Sequence, residues 1–305
     1  MNSHVATTVP TSIMTPAPSR LEPPTPTRQE RAQQMAATVD LACERLAQQL
    51  AAGHSQEYLQ VLAFFARFHR YSANNCLLVR SQRPDATRVA GLKRWNQLGY
   101  SVRKGERAVW LWAPVTRKID DTGTSEPREV VVAFRPCPVF ADVQLNEIEA
   151  KPLPTLFKPL PDDAQDLYHR VRERIESERI LVAEHHLPAG VQGVSLGGAI
   201  LLRPGLDSRN RLFTLLHEYC HEVAHRGEAQ RAKTREVREF EAESVAFVVA
   251  AALGLEIPTS GDYLLSHGAT AEVLRASLGT IQTLARRVLA TVGEVEGTRE
   301  VTIEA

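Results

Sequence analysis

No stretch of the chain approaches the ~18 consecutive apolar residues of a membrane-spanning helix, and its start lacks the basic-then-apolar layout of a secretory signal. Cysteine is sparse: Cys43, Cys76, Cys137 and Cys220 stand far apart, with neither CxxC nor zinc-finger spacing. This excludes a disulfide framework as the organising device, and free thiols in a reducing, cytoplasmic setting are expected. Net charge is also lacking, since 36 Lys and Arg balance 36 Asp and Glu. No polyionic partner follows from that total. There is no internal repeat.

What is present is a chain of 305 residues with 43% hydrophobic and 24% charged content, enough for two domains of ordinary size. Residues 1–28 carry six prolines and many Thr and Ser without periodicity, and are expected to be a disordered tail. Helical spacing predicts helices over about 29–52, 55–69, 72–83 and 87–98. Alternating stretches around 100–115 and 129–140 then predict strands of a small antiparallel sheet joined by a hairpin. The segment KPLPTLFKPLP has four prolines in eleven residues and reads as a linker, 151–162. Beyond it come a helix over about 162–177, a strand at 180–184 and two short strands around Gly197-Gly198. Helices through 215–226, 234–253 and 271–292 follow, and a tail closes the chain at 293–305. The fold class expected is α+β, with a first domain over 29–150 and a second over 163–292.

LLHEYCHEVAHR, from Leu215 to Arg226, holds HExxH twice in overlap, at His217/His221 and at His221/His225. On a helix, side chains four apart share a face about 6 Å apart along the axis, within reach of one metal ion. His217 and His225 lie about 12 Å apart along the axis, so the three cannot share one ion. The first pair is favoured because it lies in a hydrophobic helix, whereas His225 adjoins Gly227, a helix stop. It also provides Glu218 as the base that activates water. A third ligand is sought in REFEAESVAF (238–247). Glu239 and Glu243 share a face with Ala242, Ala246 and Ala250, whereas Glu241 points elsewhere, to solvent. Glu239 is assigned as ligand and Glu243 as hydrogen-bond partner of a ligand histidine, with Glu241 an alternative that spacing also allows. The ion expected is Zn²⁺.

These residues resemble the zincin metallopeptidases, in particular their ImmA/IrrE-like and ArdC-like groups, through HExxH and the later Glu239-x-x-Ala242-Glu243. The resemblance implies metal-assisted hydrolysis of a protein or peptide substrate, with Glu218 as base. It also implies an edge strand as substrate cradle, placed around Leu196–Leu201. DYLLSH (262–267) is similar to a family segment with Trp where His267 stands, which leaves Tyr263 as an oxyanion donor or a core tyrosine.

The average charge hides an asymmetry: Arg67 to Arg107 holds ten Lys and Arg against Asp85 and Glu106. Interleaved aromatics and amides suit single-stranded nucleic acid, although Trp95 and Trp110 also read as core residues. F-x-x-Y-S-x-N-N-x-L-L from Phe68, then Q-R-P, V-A-G and V-x-K-G-E, resemble the single-stranded-DNA-binding domain of ArdC-like antirestriction proteins. The resemblance implies sequence-tolerant DNA contacts at Tyr71, Asn74, Asn75, Arg80, Trp95, Arg103 and Lys104. The expected function is thus a zinc endopeptidase joined to a DNA-binding domain. Its alternatives are a non-catalytic antirestriction protein with a structural metal, and an IrrE-like protease that cleaves a repressor.

Overall fold

The computed structural model describes residues 26–119, 128–146, 153, 164–224, 233–255 and 270–292. Most of the expected tail, nearly all of the linker, the closing tail, His225, Tyr263 and His267 lie outside these. The architecture is mixed α+β. Helix α1 (Arg28–Ala51) starts where Thr27 and Glu30 cap each other reciprocally, with the Thr27 Oγ1 accepting from the Glu30 N–H at 3.2 Å. It is followed by α2 (Gln56–Arg67) and α3 (Ala73–Gln82), the latter capped by Ser72.

The helix expected over 87–98 is shorter. Val89–Ala90 forms strand β1, and α4 covers only Leu92–Gln97. The reason is non-local: Val89 and Ala90 pair with Ala141 and Phe140 of β3. Strands β2 (Val109–Ile119) and β3 (Arg128–Ala141) form the antiparallel hairpin, and the sheet order is β1-β3-β2. The outer edge of β2 is closed by side chains of α3. Asn75 donates from Nδ2 to the Trp112 carbonyl and accepts the Trp112 N–H at Oδ1, both at 2.9 Å. Gln82 does the same for Trp110, at 3.1 and 2.9 Å.

In the second half, α5 (Ala164–Ser177) and β4 (Leu181–Glu184) lead to β5 (Gly193–Ser195) and β6 (Ala199–Leu202). Helices α6 (Ser208–Ala224), α7 (Arg235–Ala252) and α8 (Ala271–Val292) follow. The sheet order is β4-β6-β5, with β4 parallel and β5 antiparallel to β6. This corrects the cradle expected around Leu196–Leu201. Strand β6 is hydrogen-bonded on both sides, and β5 is the outer strand beside α6 among the described residues.

One hydrophobic core runs from Met35 in α1 to Leu289 in α8. Helix α7 packs on α6, α8 and α2, and α1 packs on α8. Tyr58 of α2 stacks on Phe240 of α7, with ring centroids 5.2 Å apart, and its hydroxyl meets the Ser244 Oγ at 2.8 Å. From α8, Gln282 donates to the carbonyls of Phe68 and Tyr71 at 2.9 and 3.0 Å. Both halves of the chain therefore share a core. Among the described residues no helix is long and apolar enough to cross a membrane. The four cysteines are free and buried.

Candidate metal centre

Helix α6 presents three faces. Leu212, Leu215, Leu216, Tyr219 and Cys220 recur at helical spacing and are fully buried, which fixes the helix in the core. His217 and His221 emerge on a second face toward α7. Thr214, Glu218 and Glu222, four residues apart, form a third beneath the β5–β6 hairpin. Small residues on α7 (Ala242, Ala246, Ala250) are buried and permit close approach of its neighbours.

The structure brings His217, His221 and Glu239 together. The Nε2 atoms of the two histidines are 3.1 Å apart, and the Glu239 Oε2 lies 3.2 Å from one and 3.4 Å from the other. Donors about 2.0–2.1 Å from a tetrahedral ion stand about 3.3 Å from one another, so this triangle fits one face of such a shell. The residue types, two imidazoles and a carboxylate, suit a divalent transition-metal ion, with these three as the ligand group among the described residues. Glu243 completes the arrangement: its Oε2 lies 3.2 Å from the His217 Nδ1. That contact assigns the proton to Nδ1 and leaves Nε2 directed at the triangle. Burial pulls the His217 pKa down, but the hydrogen bonds to Glu239 and Glu243 outweigh it and raise it to about 9. Hydrogen bonds from His217 and His221 hold Glu239 well below the usual carboxylate range.

Glu218 is buried beside the triangle, and burial pushes its pKa up, opposed by the two histidines and a hydrogen bond from the Ser195 backbone. Strand β5 lies close enough that a Cβ on Gly193 would meet the Thr214 Cγ2 at 2.6 Å and the Glu218 Cγ at 2.8 Å. Only glycine permits that approach. Glu241, expected at the surface, is corrected. It is 0% exposed and bound through both oxygens to the Lys233 Nζ at 2.7 and 2.9 Å, because α7 is buried on several sides at once. Spacing alone did not exclude it as a ligand, but this ion pair occupies it. Glu222, in the second HExxH copy, accepts hydrogen bonds from the Ser195 Oγ, Gly197 N and Gly198 N at 2.6, 3.0 and 3.0 Å.

The candidate DNA-contact residues are spread over several environments. Trp95 is 0% exposed and donates from Nε1 to the Phe140 carbonyl at 2.9 Å, so its ring is a core element out of reach of a base. Asn75 is buried and committed to the β2 edge. The Tyr71 hydroxyl donates to the Val89 carbonyl at 3.2 Å. Arg80 pairs with Glu57 at 3.5 Å, and Arg103 pairs with Glu106 at 2.7 Å and also donates to the Val143 and Leu145 carbonyls. Asn74 is half-buried, and Lys104 is exposed beside Gly105, whose φ of 89° makes the turn.

Comparison with known proteins accords with this two-part organisation. Residues 27–140 match the family of the N-terminal domain of anti-restriction factor ArdC, and residues 149–288 match the IrrE N-terminal-like domain family. The chain thus joins an ArdC-like N-terminal domain to an IrrE/ImmA-like C-terminal domain. Among solved structures it is similar to the antirestriction ArdC protein from the R388 plasmid in its metal-free form. That match has TM-score 0.50 and 16% identity over 83% of this chain and 96% of that one. The Mn(II)-bound form of the same protein matches equally, at TM-score 0.50 and 16% identity over 87% and 99%. An uncharacterised protein of Bacillus anthracis is 33% identical over 73 residues, which span 24% of this chain and 12% of that relative's length.

Proposed function

We propose that the chain is a single-stranded-DNA-binding protein of the antirestriction kind whose second domain, zincin-like, is a zinc-dependent endopeptidase. The observation that carries the peptidase reading is the open His217/His221/Glu239 triangle with buried Glu218 beside it. A divalent ion held there supplies Lewis acidity toward a peptide carbonyl. His217 and His221 would hold that ion from one helix face, and Glu239 from the next helix. Glu243 keeps His217 in the required tautomer. Glu218, with its pKa raised by burial, is suited to take a proton from the attacking water and pass it to the leaving amine. Support for DNA binding is the ArdC-type domain at 27–140 together with the cationic stretch Arg67 to Arg107.

A second reading, antirestriction by DNA occupancy with a metal that only braces the fold, has its own support. The helix carrying Glu239 packs directly on α2 of the N-terminal half through Phe240 and Tyr58. One comparison separates the two. Wild type and Glu218→Gln are assayed for zinc content, DNA binding and casein cleavage with and without DNA. The peptidase reading expects unchanged zinc and a loss of cleavage on the order of 10³-fold. Zinc and DNA binding with no cleavage by either protein would leave occupancy as the function.

A further inference from the structure

The last helix, α8, belongs to the C-terminal half yet meets the turn that joins α2 to α3. Gln282, 1% exposed, donates to the Phe68 and Tyr71 carbonyls at 2.9 and 3.0 Å. One turn further on, Arg286 donates from Nε to the His69 carbonyl at 3.3 Å and from Nη2 to the Tyr71 carbonyl at 3.1 Å. A neutral amide already braces this turn, so a charge at 286 adds something else. Arg286 is exposed, and its guanidinium is held by main-chain oxygens rather than by a carboxylate among the described residues. Arg287 is exposed beside it on α8, Arg67 is exposed in the last turn of α2, and Arg70 is half-buried in the turn itself. No acid occurs in 67–80 or in 273–292. Cations gathered in this way repel one another and raise the local potential, which a polyanion relieves.

We propose that these arginines form a phosphate-binding surface that crosses the junction between the halves. Arg286 of α8 and Arg67 and Arg70 of the N-terminal half grip one stretch of single-stranded nucleic acid. The proposal rests on the DNA-binding reading and adds to it a contact outside the 27–140 domain. The neighbours suit a sugar–phosphate backbone. Ser72 is exposed and Asn74 half-buried at the start of α3, and such neutral side chains accompany Arg at phosphates. The two carbonyls that hold Arg286 also orient its planar fork, the geometry that phosphate recognition uses. Among the described residues, none of the large exposed hydrophobic side chains lies in 67–74 or 280–290, so the apolar anchor of a protein interface is missing. Helix α8 also packs on α7, which carries Glu239 and Glu243. A strand gripped from both sides therefore ties the DNA-binding half to the helix next to the candidate ligands.

The test is the anisotropy of a fluorescein-labelled oligothymidylate titrated with full-length protein over a salt series. Arg286→Gln should lower the slope of log affinity against log salt by about 0.7, the worth of one single-strand phosphate contact. At about 0.15 M salt that slope corresponds to an affinity loss of about fourfold. Arg286→Lys retains the charge and should retain the slope. Arg67→Gln should lower it by the same amount without touching α8, and Arg67→Gln/Arg286→Gln by about 1.4. Arg275→Gln is the control. It removes an equal charge from α8 about 16 Å away along the axis, beyond the ~8 Å screening length, and should leave the slope unchanged. A wild-type slope in Arg286→Gln overturns the site, and so does an equal drop in Arg275→Gln. If Arg286→Gln loses its fold by circular dichroism, photocross-linking of wild type to a bromodeoxyuridine-substituted oligothymidylate decides. Adducts on α8 uphold the site, and adducts confined to the N-terminal half overturn it. Wild type that binds no oligonucleotide sinks the DNA-binding reading and the site together, whereas binding with an unchanged slope in Arg286→Gln sinks the site alone.

Discussion

At the scale of single residues, the centre is governed by which atom holds a proton. Glu243 touches His217 on the nitrogen away from the triangle, at 3.2 Å. Removing such an outer partner typically lowers metal affinity about 10–100-fold. Glu243→Ala is expected to do this in a chelator competition while Glu243→Gln recovers part of the loss. His217 adds a pH dependence. Its pKa in the folded protein is about 9, above the ordinary 6.5 of an unfolded chain. Its contribution to apoprotein stability is therefore fully present below about pH 6.5 and is lost as pH rises through about 9. Metal uptake has the opposite trend, since the ion must displace that proton. Titration calorimetry at pH 7.5 in buffers of different ionisation enthalpy should show about one proton released, with affinity still rising up to about pH 9. A heat of binding independent of buffer would mean that His217 is already neutral.

At the scale of elements, α3 and β2 show how a motif can serve the fold rather than a ligand. Asn75 closes the β2 edge with two hydrogen bonds to Trp112, so Asn75→Ala leaves a part-buried N–H and carbonyl unpaired. A cost of about 1–3 kcal/mol is expected in thermal or urea unfolding, with DNA affinity of the folded fraction unchanged. Lys104→Ala should behave oppositely, with stability unchanged and the salt slope of single-stranded DNA binding reduced by about 0.7. Fluorescence anisotropy across a salt series separates the two. The last helix, 271–292, was legible at both ends because its apolar spacing is local and uninterrupted. The first was legible from apolar residues at helical spacing, whereas the Thr27 and Glu30 capping pair that sets its start falls at the edge of the expected tail. The metal triangle was legible because i, i+4 spacing is a property of one helix and only the choice of glutamate needed the second. What escaped was non-local. Strand β1 exists only through pairing with residues some fifty positions later, Phe140 and Ala141. Glu241 is buried because several helices converge on α7. Glu222 binds N–H groups of a glycine turn that no periodicity displays, although its place four residues after Glu218 on one stripe was visible.

At the scale of the whole molecule, the two matched domains share one hydrophobic core where α2 meets α7 and α1 meets α8. The three tryptophans, Trp95, Trp110 and Trp112, all lie in the N-terminal half, whereas the candidate ligands His217, His221 and Glu239 all lie in the C-terminal half. Tryptophan fluorescence therefore reports on one half while metal acts on the other. A ligand at a hundred times its Kd adds about 2.7 kcal/mol to the state that binds it, on the order of 5 °C in Tm for a chain of this size. If the core from Met35 to Leu289 unfolds as a unit, zinc must raise the tryptophan-monitored transition by as much as one followed by far-UV circular dichroism. Tyr58→Phe, which removes the hydroxyl contact to Ser244 in that junction, should lower Tm by a few degrees and begin to separate the two transitions. A tryptophan transition indifferent to zinc would show that the halves unfold independently. Metal at α6 and α7 could not then stiffen the DNA-binding half. Equal shifts would mean that any ion bound at His217, His221 and Glu239 stabilises the whole chain, including the surface proposed to meet DNA.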